Sequence, residues 1–258
     1  SVHEIVPAPD LAPFSPADQL ATREAISAYQ KGDVAAGDAS AKRISDLAAR
    51  ALAEWVIVRS GNRAIGHQRI RAFIQANPQW PTQALLARRA EEAFIADVKT
   101  PRLILAFFFF FQPVTAMGKI ALARSLVSDG KKSEGDALFR SVWRDDHFSD
   151  EAEDAVLKEF SGVLTRDDHR ARMERYNFKS MWTKALRAAA RIGPDHVALV
   201  KARQAVDNEA ANAKALVAAL PASLANDSST VFARAQLARR GNDAVGAAKI
   251  IEHVSRDS

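Results

Sequence analysis

The chain contains no cysteine, which excludes disulfides, thiolate metal sites and a cysteine nucleophile. It has no H-E-x-x-H, G-x-S-x-G, P-loop or G-x-G-x-x-G segment, so the usual zinc-protease, serine-hydrolase and nucleotide-binding signatures are missing. Long apolar runs are missing too. The longest candidate, Leu103 to Phe111, holds five consecutive phenylalanines but is closed by Arg102 on one side and Gln112-Pro113 on the other. A membrane-spanning helix needs roughly 20 apolar residues, so no transmembrane segment is expected. Ser1 opens the chain without Met, a basic stretch or an apolar stretch, and any export signal is expected to lie outside it.

What is present is a chain of 258 residues, 48% apolar and 26% charged, enough to bury a substantial core. Lys and Arg number 36 against 31 Asp and Glu, a formal charge of +5 with a sequence pI near 9.6. That balance favours contact with polyanions. The bases are interleaved with acids, as in LARRAEEA and RARMERY, which is the pattern of solvated helix faces. Stacking aromatics interleaved with the bases are lacking, and no nucleic-acid partner is expected.

Alanine is frequent, β-branched residues are scattered, and apolar positions recur at spacings of three and four, which predicts helix throughout. Glycine is scarce, eleven in all, and eight of the eleven fall in four copies of G-x-x-[AS]-x-G: Gly32 to Gly37, Gly61 to Gly66, Gly130 to Gly135 and Gly241 to Gly246. In each, the first glycine is predicted to take the left-handed conformation that ends a helix. The second is predicted to lie in the following helix, where the missing side chain lets two backbones approach. Each motif is then the elbow of an αα-hairpin, with apolar residues returning at Ala41, Ile70, Phe139 and Ile250. The motif starts lie 29, 69 and 111 residues apart, about one, two and three units of a two-helix repeat.

The fold expected is therefore all-α: an α-superhelix, a solenoid of TPR-like helical hairpins, curved or U-shaped, with about thirteen helices. Residues 1–14 read as an extended N-terminal arm and residues 15–258 as a single α-superhelical domain. Helix starts are predicted at Ser15 with Pro16 and Asp18, at Thr82, Thr100, Thr115 and Ser149, and at Thr165 with Asp168 as a capping box.

Candidates for chemistry are few. No cofactor and no metal site is implied: RDDHFSDEAED lacks the glycine and alternating carboxylates of a calcium loop. His147 and His169 lie beside acidic residues, as surface or capping histidines do. Glu91 with Glu92, and Glu151 with Glu153, could serve glycoside chemistry in principle, but they sit on alanine-rich helices without an accompanying polar cluster. Arginines recur in Ala-Arg pairs at Arg50, Arg88, Arg124, Arg172, Arg203 and Arg234, the last three 31 residues apart. If Arg172, Arg203 and Arg234 line one side of the superhelix, they form a basic track for an anionic polymer; otherwise they are ordinary helix arginines.

The segments AEWVIVRSGN (53–62), FIQANPQWPTQALLARRAEEAF (73–94), TAMGKIALARSL (115–126) and LTRDDHRARMERY (164–176) resemble the superhelical region of soluble lytic murein transglycosylases. The turn of Asn77, Pro78, Trp80 and Pro81, followed by Arg88, Arg89, Ala90 and Glu91, is the most specific match. The resemblance covers about residues 15–255. It implies a periplasmic protein whose full-length form cleaves the MurNAc-GlcNAc bond of peptidoglycan with a 1,6-anhydro product, the superhelix scaffolding and guiding the glycan strand. The family's catalytic lysozyme-like domain, with its Glu-Ser and Gly-Leu-Met-Gln motifs, has no counterpart in this sequence. No catalytic residue is carried over, and the chain is expected to be inactive alone. The alternative is a TPR-like adaptor that binds a protein or peptide. The run Phe107 to Phe111 departs from the family pattern. At about 100° per residue its rings sweep past a full turn, so part of it, at Phe108 or Phe111, is expected to face outward toward a protein partner or the missing catalytic domain.

Overall fold

The structure is a computed structural model and describes residues 13–241, so most of the N-terminal arm and the last glycine motif beyond Gly241 lie outside it. The described residues contain fourteen α-helices, one 3₁₀ turn and no strand. The chain divides into two compact units, Ser1–Gly135 and Asp136–Ser258, each taken by itself below.

In the first unit, α1 (Pro16–Gln30), α2 (Val34–Ala41) and α3 (Leu47–Arg59) pack as sequential neighbours, followed by α4 (His67–Ala76), α5 (Gln83–Asp97), α6 (Pro101–Phe110) and α7 (Ala116–Ser128). α8 (Lys132–Asp145) begins at the end of this unit. The second unit continues with α9 (Asp150–Phe160), α10 (Arg166–Phe178), α11 (Trp182–Ala190), α12 (Pro194–Asp207), α13 (Ala213–Ala218), the 3₁₀ turn Ala222–Leu224 and α14 (Ser228–Arg240). Helices contact those one or two places along the chain, α10 with α11, α11 with α12, α12 with α13 and α14, which is the solenoid-like pairing expected of stacked hairpins.

The elbows explain the pairing. Gly32 has φ +81°, its amide donates to Tyr29 O (3.0 Å), and the next amide, Asp33, donates back to Ala28 O (3.0 Å). This pair of bonds is the Schellman motif, which satisfies the last carbonyls of one helix and turns the chain into the next. Gly130 (φ +82°) repeats it, with its own amide on Val127 O (3.1 Å) and Lys131 N on Leu126 O (2.9 Å). The second glycines of these two motifs behave as predicted. A Cβ on Gly37 would overlap the Tyr29 ring, and one on Gly135 would sit 2.7 Å from Ala123 O.

The other two motifs depart from the prediction. Gly61 is left-handed (φ +73°), but Gly66 does not lie inside a helix; it is the N-cap of α4 with open space around it. Gly241 has φ −79° and closes α14 without a left-handed turn. Two elbows instead carry no glycine. Ser180 (φ +53°) and Glu209 (φ +54°) make the same Schellman pairs, through Met181 N on Tyr176 O (2.9 Å) and Ala210 N on Ala205 O (2.9 Å). Ala185, five residues after Ser180 as Gly37 is after Gly32, is fully buried.

The helix starts are mixed in the same way. Ser15, Thr115 and Ser149 cap through their hydroxyls, and Thr165 with Asp168 forms the complete capping box. Thr82 and Thr100 occupy N-cap positions without a side-chain cap bond. The Thr82 hydroxyl is diverted: Trp55 Nε1 donates to it (3.1 Å) while Trp55 and Phe73 both pack on Trp80. Gln83 Nε2 donates to Asn77 O (2.9 Å) and Trp80 O (3.0 Å), so the Asn-Pro-x-Trp-Pro turn is stapled into the core of the first unit.

Gly37→Ala and Gly135→Ala are each expected to lower unfolding free energy by about 1–3 kcal/mol through overpacking, while Gly66→Ser, with a capping side chain in open space, leaves it unchanged or slightly raised. Urea denaturation of the three variants checks this.

Candidate functional site

Arg172, on α10, is fully buried. Its Nη2 and Nε donate to Glu153 Oε2 of α9 at 2.5 and 3.2 Å, and its Nη1 donates to the carbonyls of Trp143 (2.6 Å) and Asp146 (3.1 Å). The guanidinium also lies over the Trp143 ring (4.4 Å), with Tyr176 and Phe148 close by. A long cation is tolerated in the interior here because both a carboxylate and an aromatic cage replace its water.

Glu153 is shared. Its other oxygen meets Arg191 Nη1 (2.8 Å) and Arg187 Nε (3.3 Å), so three guanidiniums surround one carboxylate. Burial opposes its charged form, but Arg172 and Arg191 outweigh that and hold its carboxyl below the ordinary value. A carboxylate held ionised in this way is not placed to donate a proton near neutral pH, the duty of the acid in glycoside chemistry. Glu151 is exposed on the first turn of α9.

The second candidate carboxylate, Glu91 of α5, is likewise committed. Val114 N and Thr115 N donate to its two oxygens (2.7 and 2.8 Å), and the Thr115 hydroxyl donates to Oε1 (2.5 Å), tying down the turn between α6 and α7. Gly118 is required beside it, because a Cβ there would collide with the Glu91 carboxylate. Glu92 is exposed and meets Arg89 at 3.2 Å.

The histidines serve as packing groups. His169 sits edge-on to Trp143 (5.6 Å) and His147 edge-on to Tyr176 (6.1 Å). Burial, and then nearby basic residues (Arg191 for His169, Lys184 and Arg175 for His147), push both below the ordinary histidine value. They are therefore largely neutral at pH 7. No group of three or more His, Asp or Glu able to hold a metal ion occurs among the described residues.

The predicted basic track needs correction. Arg172 is sealed inside the second unit, and Arg203 is buried with its guanidinium over Phe232 (4.4 Å) and its Nη1 on Gln236 Oε1 (3.3 Å). Only Arg234 is exposed, donating to Ala225 O (3.2 Å). The regular spacing places the first two on the inward faces of α10 and α12, so the three do not form a solvent-facing row.

The phenylalanine run also needs correction. Phe108 is 4% exposed, edge-on to Phe94 (6.4 Å), and Phe111 is half-buried beneath the Arg71 guanidinium, 3.2 Å from its ring centre. Phe107 stacks on Phe94 at 3.8 Å. The outward rings are Phe109 and Phe110, 79% and 75% exposed. Sequence spacing could set how many rings escape burial but not which, because the phase is fixed by Phe94 and Arg71 on other helices.

A groove of about 480 Å³ in the first unit is lined by Arg63, Arg89, Glu92 and Asp97 around Ile65 and Ile70. Its charges are of both signs, and it is open to solvent.

The three Ala-Arg positions predict three different energies. Arg172→Ala is expected to cost about 3–5 kcal/mol, as breaking a buried pair does. Arg203→Ala, which loses packing and one weak hydrogen bond, is expected to cost about 1–2 kcal/mol, and Arg234→Ala to stay within about 0.5 kcal/mol. Denaturant melts of the three variants check the order.

Comparison with protein-family models, with curated proteins and with solved structures yields no match.

Proposed function

We propose that this chain is a non-catalytic helical-hairpin scaffold of the lytic murein transglycosylase kind, periplasmic, that scaffolds and guides peptidoglycan glycan strands for a catalytic domain. The observation that supports the reading most is the use made of the residues carrying the resemblance. The Asn77 to Pro81 turn and Glu91 are framework: the turn staples α4 to α5 through Gln83, and Glu91 anchors the start of α7. Glu153, a second buried carboxylate considered for glycoside cleavage, is ringed by arginines. The residues that would attract a catalytic assignment are thus employed in holding helices together, as a scaffold requires.

The modest positive charge suits a polymer bearing peptide carboxylates, and makes the contact salt-sensitive. The purified chain is expected to sediment with intact sacculi, less so at high salt, and to release no 1,6-anhydromuropeptides detectable by mass spectrometry. Absence of sedimentation at low salt, together with tight retention of a protein partner, would replace this reading with that of a TPR-like adaptor.

A further inference from the structure

Half of the large apolar side chains that remain exposed among the described residues fall in one stretch: Leu103, Phe109, Phe110, Val114 and Met117. The first three share a face. At 100° per residue, Arg102, Leu103, Ala106, Phe109 and Phe110 lie within an arc of about 120° on α6, and all five are exposed. The opposite face is fixed in place, with Ile104 and Phe108 buried and Phe107 stacked on Phe94. The helix therefore cannot roll to hide the stripe without unstacking those rings.

Charge distinguishes this face from an ordinary protein contact. From Val98 to Ser128 the chain has no Asp or Glu, and its charges are Lys99, Arg102, Lys119 and Arg124. Lys99 and Arg102 are exposed where the stripe begins. Two copies of such a face would bring like charges together, which disfavours a second copy of this chain. The apolar positions are Leu, Ala and Phe alone, and such side chains enter a fluid apolar phase without a complementary pocket. A fluid apolar phase behind a negatively charged surface needs no register.

We propose that this face of α6 docks on an anionic lipid surface, Leu103, Phe109 and Phe110 entering the boundary between headgroups and acyl chains while Lys99 and Arg102 meet lipid phosphates. Ten residues rise only about 15 Å, so the helix lies in the interface and does not cross it, and no helix among the described residues is long and apolar enough to do so. The docking is reversible, since a few side chains supply the apolar contact. It stands independently of the glycan-scaffold reading.

Flotation of the whole chain with phosphatidylglycerol/phosphatidylcholine vesicles, and with phosphatidylcholine vesicles alone, tests it. The chain is expected to float with the anionic vesicles, and high salt to weaken this. Phe109→Ser/Phe110→Ser and, separately, Lys99→Glu/Arg102→Glu are each expected to cut the bound fraction about tenfold. Both pairs are solvent-exposed, so thermal unfolding should match the unsubstituted chain. Phe178→Ser, removing a ring 88% exposed on α10, is expected to leave binding unchanged. Failure to float, equal flotation on neutral vesicles, or an equal loss with Phe178→Ser would each overturn the proposal. So would a dimer in sedimentation equilibrium that Phe109→Ser/Phe110→Ser dissolves, which would assign the stripe to a second copy.

Discussion

The structure depends on a single backbone event repeated along the chain. One residue in the left-handed region ends a helix, two hydrogen bonds close over its last carbonyls, and the next helix returns along the first. Gly32, Gly130, Ser180 and Glu209 all do this with the same bonding pattern. The close return then dictates what can stand just beyond the elbow: Gly37 under Tyr29, Gly135 against Ala123, Ala185 fully buried. Large side chains at those positions would push the helices apart, and the buried aromatic and aliphatic contacts that supply most of the stability would loosen with them.

Where the elbow was legible in sequence, it was because glycine adopts left-handed backbone without penalty. Ser180 and Glu209 escape notice because the penalty for an L-residue, about 1–2 kcal/mol, is small enough for the surrounding turn to absorb. Other signals were ambiguous for a related reason: they report type without direction. The Ala-Arg repeat was visible, but the same dipeptide is fully buried at Arg172 and exposed at Arg234, according to which face of its helix meets Glu153 or solvent. Thr82 looked like a cap and sits at one, yet its hydroxyl serves Trp55, 27 residues earlier in the chain. Those partners are nonlocal, and no local pattern encodes them.

Each unit has its own ion-pair network, half-buried in the first and buried in the second. In the first unit Arg69 bridges Glu54 (2.7 Å) and Asp38 (2.8 Å), with the Tyr29 hydroxyl donating to Asp38 (2.8 Å), so the ring that fills the Gly37 notch is anchored by charge. The second unit concentrates its charge around Glu153. In both, ionised groups on different helices are tied to one another. Among the described residues exposed apolar side chains also occur elsewhere, as at Leu47 and Phe178, but on the α6 stripe apolar rings and acid-free sequence coincide.

If the glycine-free turns are the same device as the glycine ones, relieving their strain must stabilise the protein. Ser180→Gly/Glu209→Gly should raise the unfolding free energy by about 1 kcal/mol in urea denaturation, the left-handed cost removed exceeding the added freedom of the unfolded chain. A lowered value would contradict the account, since it would mean that these two residues hold their turns by their side chains and not in spite of them.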